Sequence, residues 1–355
     1  MEIGVLVTGV GNITTGEQIY NALLFGRRRY RITIANVEHR RMIVANGARK
    51  VVLPPADHPD YVQALAAAAN EVEAHFILPG SDWELMRIAT DRDTLAQATR
   101  AVPLINNAAV IRTCSDKQET ARAIQRCGVA VPATADCTSV EAAVDAVASG
   151  RLKLPVVIKP KHGSGGSANV YIAQDEAELC FFVRYAMHSE SALVLQEYIG
   201  DADHEFSVSV IHYPDGTLGG SMAARRHLTS RLSTHLKTPN RTGRAELGPW
   251  LIISTGHSQG EIDDFADVRA AAEHVATQIG STGPLNIQGR LLGSEFYVFE
   301  INPRFSGSTA VRAQAGHNGP EALIDWHLGV EPELGKQGAR RSTFIRGLRD
   351  YLDVG

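Results

Sequence analysis

Short apolar runs and amphipathic segments alternate along the first 112 residues of the chain. The apolar runs are rich in β-branched side chains and predict strands at residues 3–8, 30–35, 51–53, 75–78 and 102–105. Between them, apolar positions recur at helical spacing over residues 16–27, 59–72 and 83–98. This alternation predicts an open, mostly parallel α/β sheet. Ligands should then bind at the carboxyl ends of the strands, where the sequence places turns at residues 9–12 and 79–82.

The pattern changes after residue 112. Asp116 begins a predicted helix that ends at Gly128, and residues 154–159 and 168–173 predict two strands joined by a glycine-rich loop. Further strands are predicted at residues 192–198, 205–212, 218–224, 285–292 and 296–302. Turn residues such as those at 213–216 favour antiparallel hairpins. The second part of the chain is therefore predicted to be α+β.

The composition is that of a globular protein. The 355 residues are 44% hydrophobic and 21% charged, which suits two or three domains. A formal net charge of −4 gives no basic footprint for nucleic acid and favours a small-molecule substrate. The four cysteines form no C-x-x-C pair, so neither a disulfide framework nor a zinc site is indicated. The N-terminus lacks the basic region of a signal peptide and no apolar run would span a membrane, so we expect a cytoplasmic protein that binds no membrane.

A glycine-rich loop follows Lys159 at the end of a predicted strand. It holds Gly163, Gly165 and Gly166, whose bare backbone N–H groups would approach phosphate oxygens closely. The lysine precedes the glycines, so the loop is not a Walker A motif. The sequence predicts a phosphate clamp, and the alternative is a flexible hairpin turn.

A second candidate site lies in residues 295–305. The strand period of two places Glu300 and Asn302 on one face, and a hairpin would bring Gln288 alongside from the preceding strand. One carboxylate and two amides suit Mg²⁺ when phosphate and water complete its coordination. In the alternative interpretation, Glu300 pairs with Arg304 and Asn302 caps the strand. Burying a charge in an apolar strand without a function would be costly, which favours the metal site.

These motifs occur together and in order: the Lys-Pro glycine loop, residues 196–199 with Glu205, residues 286–288, and residues 300–307. In this set the chain resembles the ATP-grasp superfamily, on the branch similar to the synthetase domains of carbamoyl phosphate synthetase. The resemblance implies a preATP-grasp α/β domain over residues 1–112. It also implies an ATP-grasp domain over residues 113–355, with a mobile lid at about 130–195 and an α+β subdomain at about 196–355.

The resemblance also implies individual site residues. For nucleotide binding they are Lys117 and Lys159 at the phosphates, Gly163, Ser164, Gly165, Gly166 and Ser167 in the lid loop, Glu197, Tyr198 and Ile199 at adenine, and Glu205 at ribose. The implied Mg²⁺ ligands are Gln288, Glu300 and Asn302, with Mn²⁺ as the alternative ion. Arg304 would steady the γ-phosphate, because a planar guanidinium suits bidentate contact. The alternatives are a solvated lysine for Lys117 and a surface acid for Glu205.

Substrate contacts are predicted from a basic segment and from the turn after Arg304. Residues 225–244 are rich in arginine, and Arg225 and Arg226 would suit a carboxylate or phosphate on a substrate. Ser306 and Gly307 follow Arg304 and are further candidates. The alternatives are a solvated charge run and an ordinary turn at a strand end.

The function implied by the resemblance is ATP-dependent ligation of a carboxylate to an amine. An acyl phosphate would form, an amide or peptide bond would follow, and ADP and phosphate would be released. Lys159 and Arg304 would be the catalytic residues. Phosphoryl transfer that makes a carbamoyl or acyl phosphate, and a nucleotide-binding module without catalysis, are the alternatives. The expected partners are small-molecule carboxylate and amine substrates, with a homodimer by resemblance and no nucleic acid or membrane.

Overall fold

In the computed structural model, the first part of the chain forms a five-stranded parallel sheet flanked by helices. The model describes residues 2–45, 47–163, 169–334, 341–347 and 349–351. The strands are β1 Ile3–Val7, β2 Tyr30–Asn36, β3 Arg49–Val52, β4 Phe76–Leu78 and β5 Val102–Pro103. The helices are α1 Thr15–Leu24, α2 Tyr61–Glu71, α3 Asp82–Thr90 and α4 Arg92–Ala98. All strand pairs are parallel, in the order β3-β2-β1-β4-β5, which confirms the predicted α/β class.

The strand order of this sheet reverses between β1 and β4, and a crevice at such a switch point is where α/β proteins bind ligands. The loops that follow β1 and β4 pass so close that only glycine fits. A Cβ on Gly80 would lie 2.2 Å from the carbonyl oxygen of Thr8, and one on Gly16 would lie 2.5 Å from the same atom. The predicted turns after β1 and β4 therefore meet at the crevice.

The next part of the chain forms a four-stranded antiparallel sheet. Its elements are α5 Ala108–Ser115, α6 Lys117–Arg126, β6 Thr134–Cys137, α7 Val140–Ala148, β7 Val156–Pro160, β8 Tyr171–Ala173, α8 Glu176–Ala186 and β9 Leu193–Glu197. The strand order is β6-β9-β7-β8, and α7 and α8 cover one face through a shared apolar core. Asp116 caps α6 by accepting hydrogen bonds from the N–H groups of Gln118 and Glu119.

The remaining chain forms a six-stranded antiparallel sheet and a two-stranded ribbon. Its elements are β10 Glu205–His212, β11 Leu218–His227, β12 Thr234–Pro239, β13 Trp250–Ser254, β14 Gln259–Ile262, α9 Ala266–Gln278, β15 Pro284–Leu292, β16 Glu295–Asn302, α10 Thr309–Gln314, α11 Gly319–His327 and β17 Ser342–Phe344. The larger sheet has the order β16-β15-β10-β11-β14-β17, and β12 pairs with β13. Helices α5, α6 and α9 share its apolar core.

The C-terminal helix α11 packs back onto the first sheet. Leu323 and Ile324 of α11 belong to the same buried cluster as Val5 and Ile19. Asp325 is fully buried and forms an ion pair with Arg28, with Oδ1 at 2.5 Å from Nε. These contacts join the two ends of the chain around the crevice.

None of the helices in the described ranges is long and apolar enough to cross a membrane. The four cysteines are free thiols.

Candidate active site

A cavity of about 490 Å³ lies between the four-stranded and six-stranded sheets. Many residues singled out from the sequence line it: Lys117, Lys159, Gly163, Glu197, Tyr198, Ile199, Glu205, Gln288, Glu300, Asn302 and Arg304. A cleft of this size that gathers several polar groups is typical of a small-molecule site. The structure therefore brings together residues that are up to 187 positions apart in the chain, from Lys117 to Arg304.

Lys159 is a buried cation of the cavity, with 7% of its surface exposed. Its ammonium donates hydrogen bonds to Oε1 of Gln196 at 2.8 Å and to the carbonyl of Phe299 at 3.4 Å. Burial lowers the pKa of Lys159 to about 8, against the opposing attraction of Glu300. Neither hydrogen-bond partner carries a negative charge, so the charge of the ammonium remains available to an anion.

Gln196 is a site residue to which the sequence analysis gave no role. It is buried on β9, and its Nε2 donates to Oγ1 of Thr134 on β6 at 3.0 Å. The amide is thereby fixed with its oxygen towards Lys159 on β7. Three neighbouring strands thus hold the lysine in one position.

The candidate metal ligands lie side by side on β15 and β16. In the register of these strands Gln288 is opposite Glu300, and Asn286 is opposite Asn302. The register then shifts, because Gly289 is opposite Val298, and this bulge leaves the Phe299 carbonyl free to accept from Lys159. The strand period places Glu300 and Asn302 on one face, as predicted.

The donor chemistry of these three residues fits Mg²⁺ that is shared with phosphate. Oε1 of Gln288 accepts from Nη1 of Arg226 at 3.2 Å, and Oδ1 of Asn302 accepts from Nη2 of Arg304 at 3.2 Å. Among the described residues no cluster of three histidine, cysteine or acidic side chains could hold a metal alone. One carboxylate and two amide oxygens therefore need further oxygens, which a triphosphate and water would provide.

Glu205 is held between two arginines at the floor of the cavity. Oε1 lies 2.7 Å from Nη1 of Arg226, and Oε2 lies 2.9 Å from Nη2 of Arg290, with all three residues buried. Burial alone would raise the pKa of Glu205, but the two guanidinium groups outweigh it and hold the pKa below the usual range. A ribose hydroxyl bound to Glu205 would contact carboxylate oxygens that also contact both arginines.

Tyr198 stacks on Arg290, one of the two arginines that hold Glu205. The guanidinium carbon of Arg290 lies 4.3 Å from the centroid of the Tyr198 ring, within cation–π range. The hydroxyl of Tyr198 donates to the carbonyl of Ile252 at 3.2 Å and accepts from its N–H at 2.7 Å. This locks the 197–199 segment, for which adenine contact is predicted, against β13.

Arg304 reaches from the end of β16 to the crevice of the first sheet. Its Nε donates to Oδ1 of Asp82 at 3.0 Å, and its Nη1 donates to the carbonyl of Phe305 at 3.1 Å. In the described part of the chain Arg304 forms an ion pair with Asp82. It forms none there with Glu300, although the alternative interpretation of Glu300 requires that pair. Asp82 received no role from the sequence.

Comparisons with known proteins agree with this geometry. Residues 253–344 match a family model described as ATP-grasp in the biosynthetic pathway with Ter operon. The chain is 29% identical over 253 residues to the carbamoyl phosphate synthase large chain of Vibrio cholerae, an alignment that covers 69% of this chain and 21% of that protein. The chain is therefore similar to ATP-grasp proteins over residues 253–344 and to the carbamoyl phosphate synthase large chain over 69% of its length. It spans about a fifth of the length of this curated relative.

Solved structures of other proteins share the fold. The biotin carboxylase domain of 2-oxoglutarate carboxylase from Hydrogenobacter thermophilus, in complex with MgADP, ADP and bicarbonate, matches with a TM-score of 0.62 and 17% identity, over 93% of this chain and 70% of that one. An L-amino acid ligase from Bacillus licheniformis matches with a TM-score of 0.63 and 14% identity, over 91% and 73% of the two chains. At these identities the likeness establishes the fold alone.

The four candidate substrate residues lie outside the lining of this cavity. Arg225 forms an ion pair with Glu261 at 2.6 Å on the neighbouring strand, and Arg226 is buried against Glu205. Oγ of Ser306 accepts from Arg312 at 2.5 Å, and the carbonyl of Gly307 accepts from Arg346 at 2.6 Å. Arg226 is thus part of an internal ion-pair network, and a role for these four residues in substrate binding stays a prediction.

The predicted lid loop is described only in part. Gly163 lines the cavity, and its carbonyl accepts from Nζ of Lys117 at 3.4 Å. Its φ of 103° is a backbone conformation that favours glycine. Ser164, Gly165, Gly166 and Ser167 lie outside the described residues.

Proposed function

We propose that this chain is an ATP-dependent carboxylate–amine ligase that forms an amide or peptide bond through an acyl phosphate and releases ADP and phosphate. One observation carries the proposal: the buried ammonium of Lys159 shares a cavity with the oxygens of Gln288, Glu300 and Asn302. A fixed cation beside a set of oxygen ligands suits a triphosphate with its divalent ion.

The residue roles follow from this placement and remain proposals. Lys117 and Lys159 would bind the phosphates, residues 163–167 would cover them, residues 197–199 would contact adenine, and Glu205 would contact ribose. Mg²⁺ bound by Gln288, Glu300 and Asn302 would supply charge neutralisation at the phosphates, and Mn²⁺ is the alternative ion. We also propose that the preATP-grasp domain ends near residue 112, with the lid at about 130–195, and that two copies form a homodimer.

The chain's own residues do little covalent chemistry in this mechanism. The substrate carboxylate attacks the γ-phosphorus, the bond to the bridging oxygen breaks, and ADP leaves. Lys159 and Arg304 offset the negative charge of the transferred group. Asp82 holds the guanidinium of Arg304 at the crevice where the carboxylate would arrive. The amine then displaces phosphate from the acyl carbon, so no protein nucleophile is needed. Water must be excluded until then, which is the proposed role of the lid.

The comparisons support this reaction class. The L-amino acid ligase shares the fold, and the biotin carboxylase domain was solved with MgADP and bicarbonate. The carbamoyl phosphate synthase large chain is related in sequence, so phosphoryl transfer without ligation is the second reaction to test.

Phosphate release with paired substrates tests the proposal. Purified protein with ATP and Mg²⁺ is given single carboxylates and amines and then pairs of them. A ligase releases phosphate in proportion to the amide formed. In a kinase-type enzyme, phosphate release does not depend on the amine. Lys159→Ala should slow phosphate release by ~10²–10³-fold. Lys153→Ala, which removes an exposed lysine six positions away, should leave the rate unchanged.

A further inference from the structure

A fully buried arginine, Arg312 of α10, has no role in the mechanism described above. Only 1% of its surface is exposed. Within the described ranges no acid forms an ion pair with it. Burial, together with the nearby charge of Arg226, lowers the pKa of Arg312 to about 9, so the guanidinium is still charged at neutral pH. A buried charge without a counter-charge is costly, and packing alone does not account for it.

The hydrogen bonds of Arg312 go to neutral groups. Nη1 donates to Oγ of Ser306 at 2.5 Å. Nη2 donates to the carbonyl oxygen of Ser207 at 2.7 Å and to Oγ of the same residue at 3.1 Å. Nε is buried without a hydrogen-bond partner in the part of the chain that the structure describes. These contacts hold the guanidinium in one position, but they leave its positive charge unbalanced.

The same contacts place Arg312 next to the candidate metal ligands. Ser207 of β10 is opposite Gln288 of β15, so both side chains lie on one face of the six-stranded sheet. Oγ of Ser207 donates to Oδ1 of Asn286 at 2.7 Å, and Asn286 is opposite Asn302. The guanidinium is therefore two hydrogen bonds away from a residue that pairs with a candidate metal ligand.

The acids on this face of the sheet act on other cations. Glu205 lies two residues before Ser207 on β10, and Arg226 and Arg290 already hold its two oxygens. The charge of Glu300 acts on Arg226. Among the described residues, no acid raises the pKa of Arg312. Its positive charge is therefore available to a negatively charged ligand in the adjacent cavity.

We propose that Arg312 supplies a buried positive charge to the phosphate end of the nucleotide site, and that the phosphates of a bound nucleotide balance this charge. The guanidinium acts at a distance, across Ser207 and Asn286, and is not itself part of the cavity lining. Two unit charges about 10 Å apart change an affinity by roughly tenfold at the effective dielectric constant of a protein. The proposal rests on the proposed function and adds a residue to its nucleotide site.

Two variants separate the charge of Arg312 from its hydrogen bonds. Arg312→Lys keeps a positive charge but loses the forked geometry of the guanidinium. Arg312→Gln removes the charge and keeps an amide N–H donor for Ser207 or Ser306. A role in packing or hydrogen bonding predicts similar losses in both variants. A role of the charge predicts that only the glutamine variant discriminates against phosphates.

The measurement is the dependence of affinity on the number of phosphates. Calorimetric titration of the full chain gives Kd for adenosine, ADP and ATP, and Mg²⁺ is left out so that changes at the metal ligands do not contribute. In Arg312→Gln we expect Kd to rise roughly tenfold for ATP, less for ADP and less than about twofold for adenosine. In Arg312→Lys the ratio of the Kd values for adenosine and ATP should stay within about threefold of the native ratio.

This ratio is insensitive to a loss of folded protein, because partial unfolding raises the apparent Kd of every nucleotide by the same factor. Arg269→Gln is the matched control. Arg269 lies on α9, which packs on the opposite face of the same sheet, and it forms an ion pair with Asp264 at 2.7 Å. This variant should leave the ratio unchanged.

The outcomes separate this proposal from the proposed function. If the native chain binds neither ATP nor ADP, with or without Mg²⁺, the ligase function is wrong and the role of Arg312 is withdrawn with it. If ATP binds and Arg312→Gln weakens adenosine and ATP equally, the function stands and the role of the charge is overturned. Equal losses of the ratio in the lysine and glutamine variants would also overturn it. A loss of the ratio in Arg312→Gln alone supports the proposal.

Discussion

Asp82 and Arg304 join the parallel sheet to the strand that carries the candidate metal ligands. Oδ1 of Asp82, at the start of α3, lies 3.0 Å from Nε of Arg304, which is two residues after Asn302. The same guanidinium donates to Asn302 at 3.2 Å. A helix start in the first sheet therefore fixes a side chain at the proposed phosphoryl-transfer site.

We predict that Asp82→Asn slows turnover while nucleotide binding is kept. The asparagine oxygen still accepts a hydrogen bond, but the lost charge loosens Arg304, and a small displacement of a positioned group costs roughly 10-fold or more in kcat. The pair is partly exposed, so the free energy of unfolding should change by less than about 1 kcal/mol. Steady-state kinetics give kcat and KM for ATP. Asp93→Asn, at an exposed position of α4, is the control. An equal loss of turnover in both variants would contradict the role of Asp82 in positioning Arg304.

We predict that nucleotide affinity falls as the pH rises through the pKa of Lys159. Burial lowers this pKa to about 8, so the ammonium is charged at pH 7 and increasingly neutral above pH 8. Bound phosphate favours the charged form and raises the pKa in the complex. Between the two pKa values, the affinity should fall by up to about tenfold per pH unit. Calorimetric titration with ATP from pH 6.5 to 9.5 measures this slope.

Lys159→Met should bind ATP weakly and without this alkaline decline. If the variant shows the same slope as the native chain, another group is responsible. Lys153→Met controls for the substitution of a lysine as such.

The sequence predicts best the features that depend on neighbouring residues. Residues 205–212 and 296–302 were predicted as strands because apolar and polar positions alternate, and β10 and β16 match them to within one residue. The hairpin at 213–216 was predicted from Pro214 and Gly216, and the N–H of Tyr213 does donate to the carbonyl of Thr217. By contrast, residues 83–98 were predicted as one helix, and the chain breaks it at Asp91 into α3 and α4. No glycine or proline marks this break.

Partners that lie far apart in sequence could not be predicted. Asp82 and Arg304 are separated by 222 positions, and no local pattern indicates that they meet. Glu205 was predicted as an acid in a nucleotide site, but its two arginines come from different strands, at 226 and 290. A charge run such as residues 225–244 does not reveal which of its members turn inward, as Arg226 does towards Glu205. Burial and pairing are decided by the packing of the sheets.

We predict that Glu205→Gln destabilises the fold strongly. The variant leaves the buried guanidinium groups of Arg226 and Arg290 without a counter-charge, which typically costs about 3–5 kcal/mol. The pKa of Glu205 is lowered in the folded state, so its stabilising contribution is complete at neutral pH. It should be lost as the pH falls below the unfolded value of 4.5 and through the folded pKa.

Urea unfolding at pH 7 and at acidic pH measures both effects. Glu71→Gln removes the acid of an exposed ion pair with Arg49 and should cost less than about 1 kcal/mol. A similar small cost at Glu205 would mean that the buried network does not hold the six-stranded sheet together.

The last prediction concerns Glu300, the one carboxylate of the candidate metal site. Glu300→Gln keeps the shape of the side chain and the register of β16 opposite Gln288, so the fold should persist. The loss of the charge weakens binding of a divalent ion and also removes an attraction on the Lys159 ammonium, which would lower the pKa of that lysine further. Both effects weaken the binding of ATP.

Turnover of Glu300→Gln should therefore fall by at least ~10²-fold at limiting Mg²⁺ and recover in part when the Mg²⁺ concentration is raised. The control is Glu295→Gln, at the exposed start of the same strand, which should leave the Mg²⁺ titration unchanged. An unshifted Mg²⁺ midpoint in Glu300→Gln, with a normal rate, would show that this carboxylate does not hold the ion. The charge inside the strand would then serve only to balance the buried ammonium of Lys159, and the metal ligands would have to be sought elsewhere in the cavity.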